Sequence, residues 1–317
     1  MKRSFSQVLA TAIRKGITTI SLTVLVSLSL STLATETSVT QLAPDVYHFR
    51  YGFHSNLFIV TDEGVIATDP LSPEAAKACL AEIRKITDKP VRYVIYSHDH
   101  TDHIAGGGVY TGQAQFVAHH NALALIKDRG IDEIIVPDLL VDDRHTLKLG
   151  GKTIQLVHFG RVESASGLAI YLPEDKILMW VDAVRSFGAP YRYLEGYDWL
   201  DFRNALRELQ TWEIDILVPG HGPPTDKSRL VLFASYLQDM QTTAEKEMAA
   251  YTQGEHAAVI GKVNPERYFD SYISEIAHRV IEKMRPQYGD IGGYDDWGTK
   301  NAERVVVFLL HEILFFK

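Results

Sequence analysis

The segment VIYSHDHTDHIAGGG, residues 94–108, places three histidines and two aspartates directly after an apolar run. In an extended or loop backbone, side chains two positions apart point to the same side. His98 and His100 can therefore converge on one ion, while Asp102 and His103 turn toward a second. Imidazole and carboxylate are the usual zinc ligands outside cysteine-based structural sites. The spacing predicts a metal-binding motif; a solvated polar loop or a histidine-rich metal scavenger are the alternatives.

The elements that must position this motif alternate between strands and helices. Three segments show helical spacing of apolar residues: SPEAAKACLAEIRKIT, HNALALIKDRG and YDWLDFRNALRELQTW. Ser72 is the predicted N-cap of the first helix, with Pro73 at its first position, and Gly130 is the predicted end of the second. His119 and His120 are expected to start the second of these helices. The predicted strands are VYHFR, NLFIVT, GVIATD, VRYVIY, AQFVAH, TIQLVHFG, GLAIYLP, KILMWVD and IDILVPGHG. This order indicates a mixed α/β chain.

Past about Thr225 the pattern becomes helical throughout. SRLVLFASYLQDMQTTAEKEMAAYTQG, PERYFDSYISEIAHRVIEKM and AERVVVFLLHEILFF all show helical spacing of apolar residues. We expect residues 225–317 to form a C-terminal helical extension packed on the first domain. A separate partner-binding module is the alternative.

The first 34 residues have the features of an export signal. MKRSFSQVLATAIRKG carries four basic residues and no acid, and an apolar stretch with small residues near Ala34 follows it. We expect residues 1–34 to be a cleaved signal peptide and the mature protein to be periplasmic or secreted. An uncleaved membrane anchor is the alternative, since the apolar stretch can just span a bilayer.

The charge balance limits the partners of the chain. With 32 basic and 40 acidic residues the net charge is −8, and loss of the four basic residues in 1–34 makes it 28 − 40 = −12. An acidic chain is a poor candidate for binding nucleic acid or for stable membrane association after cleavage. We therefore expect a small-molecule substrate. The single cysteine, Cys79, excludes an internal disulfide and is expected to be a buried apolar side chain.

Four landmarks resemble the metallo-β-lactamase superfamily, and they follow its order over roughly residues 42–225. HDHTDH is similar to the signature of that family, and DEGVIATD resembles its usual second hairpin. Asp182, at the end of KILMWVD, matches the carboxylate that bridges two metals, and His221 in LVPGHG matches the final histidine. The resemblance implies a four-layer αββα sandwich over residues 35–224, with metals at the edge between two sheets.

One landmark differs from the family pattern. Members normally have a histidine three residues after a glycine, whereas here Gly160 is followed by Glu163. Alkylsulfatases of the superfamily carry a glutamate in this motif, and His158 nearby is expected to lie in a strand or to support the site. The ligands that the resemblance then implies are His98, His100 and Glu163 for one ion, Asp102, His103 and His221 for the other, and Asp182 for both. A single ion or none remains an alternative.

The glutamate changes the charge of such a centre. Three carboxylates and a bridging hydroxide would neutralise two divalent ions, whereas a histidine in place of Glu163 would leave one positive charge. A more electron-rich centre polarises a carbonyl less and raises the pKa of bound water. We expect two Zn²⁺ ions, with manganese or iron as the harder alternatives.

The resemblance implies a zinc-dependent hydrolase that cleaves an amide, lactone or ester bond with a metal-bridged hydroxide, as a β-lactamase does. Asp182 would hold the bridge, and Asp102 would orient the nucleophile or receive its proton. The alternatives are a sulfatase-like or phosphoester hydrolase of an amphipathic substrate, and a non-catalytic metal-binding protein that retains the fold.

The expected substrate contacts come from the loop after Asp182 and from one earlier histidine. Arg185, Tyr191 and Tyr193 in AVRSFGAPYRYLEGYDW would recognise an amphipathic molecule with an anionic head. His54 in YGFHSNLF is a further candidate for the mouth of the site. The alternative for the aromatic rings is that they pack the helical extension onto the sandwich.

Overall fold

The structure, a computed structural model, describes residues 35–131, 134–251, 253–260 and 267–315. The predicted signal peptide lies outside the described residues. From Thr35 onward the chain forms one compact unit. Among the helices of the described part, none has the length and apolar character needed to cross a bilayer.

The first sheet contains seven strands in chain order. The first four pair antiparallel as successive hairpins, and the remaining pairs, from the fourth strand onward, are parallel. The strands are β1 (Thr37–Ala43), β2 (Val46–Tyr51), β3 (His54–Thr61), β4 (Gly64–Thr68), β5 (Val91–Ile95), β6 (Gln115–His119) and β7 (Leu139–Val141).

The second sheet contains five strands in the order β12-β11-β10-β9-β8. Its strands pair antiparallel except β11 and β12, which are parallel. They are β8 (Arg144–Leu149), β9 (Lys152–Val157), β10 (Ala169–Leu172), β11 (Ile177–Met179) and β12 (Ile216–Val218).

The helices in the first two thirds of the chain are α1 (Pro73–Ile86), α2 (Thr101–Ile104), α3 (His120–Arg129) and α4 (Trp199–Leu209). Of these, α1 and α3 have the predicted ends, α4 lies within its predicted segment, and α2 was not predicted as a helix. Ser72 Oγ accepts the Ala75 N–H at 3.2 Å, and Gly130 ends α3 in the left-handed conformation at φ 59°. His119 caps α3, and Asp198 caps α4 by accepting two backbone N–H groups. These caps satisfy donors that the first helical turn cannot pair internally.

Three apolar clusters define the layers. The cluster between the two sheets contains Leu57 and Ile95 of the first sheet with Ile170 and Met179 of the second. A second cluster packs α1, through buried Cys79, and α3 on the outer face of the first sheet. The third packs α4 on the outer face of the second sheet. The predicted αββα sandwich is confirmed.

The C-terminal helices share the third cluster with the second sheet. They are α5 (Ser228–Ala250), α6 (Gln253–Ile260), α7 (Tyr268–Tyr288) and α8 (Tyr294–Phe315), and α8 starts eight residues before the predicted AERVVV segment. Leu237, Val280 and Val305 of these helices are buried in the same cluster as Leu178 of β11. Burial of this continuous apolar surface holds the helices against the sandwich.

Three strands have no clear signal in the sequence. β1 and β8 lie at the edges of their sheets, are largely exposed, and therefore carry polar residues where a buried strand would be apolar. β7 is only three residues long, which is too short for a period of two to be recognised.

Candidate metal centre

The seven predicted metal ligands lie where strands end at one edge of the two sheets. His98 and His100 follow β5, and Asp102 and His103 lie in the single turn of α2, which is helical rather than extended. The other three follow strands of the second sheet: Glu163 lies in the loop after β9, Asp182 after β11 and His221 after β12. The structure thus brings together side chains that are up to 123 positions apart (221 − 98).

One group of ligand atoms surrounds Glu163. Its two carboxylate oxygens lie 3.3 Å from His98 Nε2 and 3.2 Å from His100 Nδ1. Asp182 Oδ2 is 3.9 Å from the same His98 nitrogen. The four residues offer ligand atoms that all lie within 4.8 Å of one another. This is the set that the resemblance implies for the first ion.

The second group also includes Asp182. His103 Nε2 and His221 Nε2 each lie 3.3 Å from a different oxygen of Asp182. Asp102 Oδ2 lies 3.5 Å from both imidazole nitrogens. It also contacts His54 Nε2 at 3.2 Å, so that His54, Asp102 and His221 form a further trio. His54 thus lies beside the predicted ligands.

The hydrogen bonds around His98 fit a metal ligand. Ser97 donates its backbone N–H and its hydroxyl to Asp69, each at 2.7 Å. Because that hydroxyl proton is used, Ser97 Oγ accepts from His98 Nδ1 at 2.9 Å. The Nε2 lone pair of His98 therefore faces Glu163 and Asp182, and among the described residues it has no hydrogen-bond partner. An imidazole fixed through its other nitrogen is the usual arrangement of a ligating histidine.

The pKa values of the predicted ligands are shifted in different directions. Burial lowers the pKa of His98 to about 4, whereas burial and the nearby Asp182 raise the pKa of Glu163 to about 8. Burial opposes protonation of His221, but its hydrogen bonds to Asp102 and Asp182 raise its pKa to about 9. Without a cation, these shifts favour protonation of Glu163 and His221 at neutral pH. Divalent cations would displace these protons, as metal binding does at such sites.

A family model described as the metallo-beta-lactamase superfamily matches residues 50–221, more than half of the 317-residue chain. The chain belongs to the metallo-beta-lactamase superfamily. The resemblance inferred from HDHTDH is thereby confirmed. Members of this superfamily typically bind divalent metals, and the ligand groups described above agree with that.

Curated relatives of this superfamily member are distant. The chain is 29% identical over 180 residues to the 2,4-dinitroanisole O-demethylase subunit alpha of Nocardioides sp. (strain JS1661), covering 56% of this chain and 55% of that protein. It is 23% identical over 216 residues to the linear primary-alkylsulfatase of Pseudomonas sp. (strain ATCC 19151), covering 52% of this chain and 41% of the relative. The chain thus spans about half the length of these relatives or less.

Solved structures show the same fold. The metallo-beta-lactamase from Pontibacter korlensis superposes with a TM-score of 0.56 at 23% identity, covering 64% of this chain and 99% of that one. A metallo-beta-lactamase from Erythrobacter litoralis gives a TM-score of 0.55 at 18% identity, covering 64% of this chain and 97% of that one.

Asp69 is a functional residue that sequence reasoning did not single out. It follows β4 and is fully buried, and besides its contacts with Ser97 it lies 3.2 Å from His103 Nδ1. It therefore orients one histidine of each ligand group in this metallo-beta-lactamase fold. The available signal was the aspartate that ends the buried run GVIATD.

Asp99 supports the opposite side of the centre. It is buried, accepts hydrogen bonds from the hydroxyls of Ser164 and Ser166, and pairs with Arg129. Burial opposes its ionisation, but these partners hold its pKa below the usual value. Because Ser164 directly follows Glu163, Asp99 ties the motif HDHTDH to the loop that carries the glutamate.

The backbone near the ligands is unusual. Glu163 and Asp182 have positive φ values of 66° and 59°, which non-glycine residues rarely adopt. Gly196 packs so closely that a Cβ built on it would lie 1.9 Å from the Glu163 carbonyl oxygen. Strain of this kind occurs at functional sites where the surrounding structure imposes the conformation.

A cavity of about 620 Å³ opens beside the first ligand group. Arg185 and Tyr191, two of the expected substrate contacts, are among the residues that line it. The Arg185 guanidinium lies 5.3 Å from the Tyr191 ring centroid and 4.8 Å from that of Trp297 in α8. Tyr193 is not among the lining residues; its ring lies 6.0 Å from Lys300 Nζ. The cavity is lined by Phe53, His100, Glu163, Asp182, Val184, Arg185, Tyr191, Glu195, Gly196, Tyr197 and His221.

Proposed function

We propose that this chain is an exported, zinc-dependent hydrolase that cleaves an ester-type bond in a small amphipathic molecule. The observation that carries the proposal is the position of Asp182, whose carboxylate lies beside histidines of both ligand groups: Oδ2 is near His98 and His103, and Oδ1 is near His221. This arrangement suits two divalent cations that share one carboxylate. Bound there, such ions supply a water that is nucleophilic near neutral pH and polarise the bond under attack.

The residues of the chain itself have distinct tasks in this proposal. His98, His100 and Glu163 hold the first cation, and His103 and His221 with Asp102 hold the second. Asp102 is half-exposed, with 47% of its side chain accessible, and His54 fixes its Oδ2 atom at 3.2 Å. This position allows Asp102 to orient the attacking water or to accept its proton, as a general base must.

The cavity favours a substrate with an apolar body and an anionic or electron-rich head. Arg185 offers a guanidinium to such a head, and the rings of Tyr191 and Trp297, which meet edge to face, restrict its position. Phe53 and Val184 add apolar surface for the body of the substrate. The names of two relatives support cleavage of a bond to oxygen, because one relative is an O-demethylase subunit and the other is an alkylsulfatase.

A sulfatase-like activity is the second candidate. Glu163 favours it, because the alkylsulfatases of the superfamily carry a glutamate in this motif and a sulfate ester has the anionic head that Arg185 suits. Asp182 disfavours it, because those enzymes use a glutamate as the bridging carboxylate. Amide and lactone substrates, including β-lactams, remain within the hydrolase proposal.

Metal analysis and a substrate panel test the proposal together. The panel contains aryl carboxylic esters, lactones, β-lactams, aryl and alkyl sulfates and nitroaryl methyl ethers. For the wild type we expect two zinc equivalents in the candidate centre and hydrolysis of at least one substrate class of the panel. We expect D182N to lose both ions and to hydrolyse that substrate at least about a thousandfold more slowly. D215N replaces an exposed aspartate and is the matched control. We expect it to keep both zinc ions and the hydrolysis rate of the wild type. Hydrolysis that survives complete removal of metal would overturn the proposal.

A further inference from the structure

Tyr197 is a buried residue beside the candidate metal centre that belongs to neither group of ligands. It directly precedes Asp198, the N-cap of α4, and it lines the cavity. We propose that Tyr197 is a positioning residue of the centre, because its hydroxyl holds the backbone turn from which the Asp182 side chain extends. The inference rests on the proposed function, since Asp182 is the carboxylate that the two cations would share.

Asp182 lies at the centre of a tight and strained turn. The Ala183 N–H donates to the Val181 carbonyl at 2.7 Å, which closes a three-residue turn around Asp182. Asp182 has a φ of 59°, and three-residue turns of this positive-φ form are rare. A residue other than glycine keeps such a conformation only where contacts from the surrounding structure impose it. The direction of the Asp182 side chain therefore depends on the groups that hold this turn.

The Tyr197 hydroxyl holds the turn through its carbonyl groups. It lies 2.7 Å from the Asp182 carbonyl oxygen and 3.3 Å from that of Ala183, and it donates because a carbonyl oxygen can only accept. Among the described residues, no backbone N–H donates to either carbonyl. The bond restrains the peptide group that follows Asp182, and hence the ψ angle of Asp182. Its carboxylate is thereby kept directed at histidines of both ligand groups.

Tyr197 is itself held in place by two helices. It is 6% exposed, and its ring packs against Phe202 of α4 at a centroid distance of 4.8 Å. Its backbone N–H donates to the Leu194 carbonyl at 3.1 Å, and Arg304 of α8 donates to its carbonyl at 3.3 Å. The position of the hydroxyl is therefore set by α4 and by the C-terminal extension. A hydroxyl on a ring that is fixed in this way can restrain the strained turn at Asp182.

The residue before Tyr197 contacts the other carboxylate of the first ligand group. Gly196 packs so closely against the Glu163 carbonyl that no Cβ would fit between them. Two consecutive residues therefore touch the backbone of both Glu163 and Asp182, which follow different strands of the second sheet. The separation of the two carboxylates is thus set by one short segment, in which Tyr197 is the residue that acts on Asp182.

Y197F tests the inference, because it removes the hydroxyl and keeps the ring. Y171F is the matched control: Tyr171 of β10 is also 6% exposed, and its hydroxyl donates to the Glu213 carbonyl at 2.6 Å. Glu213 precedes β12, whereas the ligands lie where strands end. Each variant of the full chain loses a hydrogen bond from a buried tyrosine to a backbone carbonyl. We expect zinc affinity, measured by competition with a chromophoric chelator, to fall about ten- to a hundredfold in Y197F and to stay unchanged in Y171F.

Cobalt substitution gives a second readout that a loss of stability alone does not change. At saturating cobalt we expect the visible absorption bands of Y197F to differ from those of the wild type in position or intensity, whereas Y171F keeps the wild-type spectrum. Both measurements are made at a temperature at which circular dichroism shows all three proteins to be folded. A zinc affinity and a cobalt spectrum of Y197F equal to those of Y171F would overturn the inference and leave the hydrolase proposal standing. A wild type that binds no divalent cation would overturn both.

Discussion

At the scale of single residues, the candidate metal centre depends on side chains that contact its ligands. Asp69 orients His98 through Ser97 and lies beside His103, whereas Asp99 secures the loop of Glu163. Partners of this kind restrict the rotation of a ligand and fix which imidazole nitrogen carries the proton. The geometry is therefore prepared before any cation binds.

Gly196 provides a test of how strictly Glu163 is positioned. G196A would place a Cβ 1.9 Å from the Glu163 carbonyl oxygen, and the loop must move to relieve this overlap. We expect zinc affinity of the group containing Glu163 to fall by about ten- to a hundredfold. Competition with a chromophoric chelator measures the affinity.

G112A is the matched control for this prediction. Gly112 has φ 79°, close to the 81° of Gly196, but a Cβ there meets nothing within 4 Å. The two variants share the backbone strain of a left-handed alanine and differ only in the overlap with Glu163. Equal zinc affinity in both variants would contradict the assignment of Glu163 as a positioned ligand.

At the scale of elements, the C-terminal helices hold the wall of the cavity. Arg229 of α5 donates to the Arg185 carbonyl at 3.0 Å, and Asn301 of α8 donates to the Pro190 carbonyl at 3.1 Å. Trp297 of α8 also packs against the Arg185 guanidinium. The helical extension therefore shapes the proposed substrate contacts in addition to covering the second sheet.

Asn301 offers a stability test of this connection. Its side chain is fully buried, and N301A would leave the Pro190 carbonyl without this donor. We expect the free energy of unfolding in urea to fall by about 1–3 kcal/mol. N204A, at an exposed position of α4, should change it by less than about 0.5 kcal/mol. If both variants unfold like the wild type, the contact between α8 and the loop contributes nothing to stability.

At the scale of the whole molecule, buried histidines make stability depend on pH. His48 in β2 is 4% exposed, and burial together with the Arg50 charge lowers its pKa from 6.5 to about 4. Below pH 6.5 the unfolded chain binds a proton that the folded chain excludes. The stabilisation from neutral His48 is thus fully present above pH 6.5 and is lost as the pH falls toward 4.

H48Q tests this dependence, because glutamine does not titrate. We expect the wild type to lose up to about 3 kcal/mol more unfolding free energy than H48Q between about pH 7.5 and pH 4.5. Urea unfolding of chelator-treated protein measures the difference without contributions from bound metal. H278Q is the control and should keep the slope of the wild type. Parallel pH profiles of the wild type and H48Q would show that His48 is protonated equally in both states.

Motifs and the order of elements followed from the sequence alone, because side-chain type and spacing along the chain are local properties. The histidines and aspartates of HDHTDH, the caps at Ser72 and Gly130, and the alternation of strands and helices were all recognisable in this way. Strands with a weak local pattern could not be recognised in the sequence. These are β1, β7 and β8, which are short or lie at exposed edges of the sheets.

Tertiary structure alone decided which of these groups meet. Asp182 lies between two sets of ligands, His54 contacts Asp102, and Tyr193 lies against Lys300 rather than in the cavity. His119 and His158 stack although 39 positions separate them (158 − 119). Such contacts depend on the register of two packed sheets and on the conformations of several loops. No local pattern encodes them, since their energy comes from groups that are distant along the chain and adjacent only after folding.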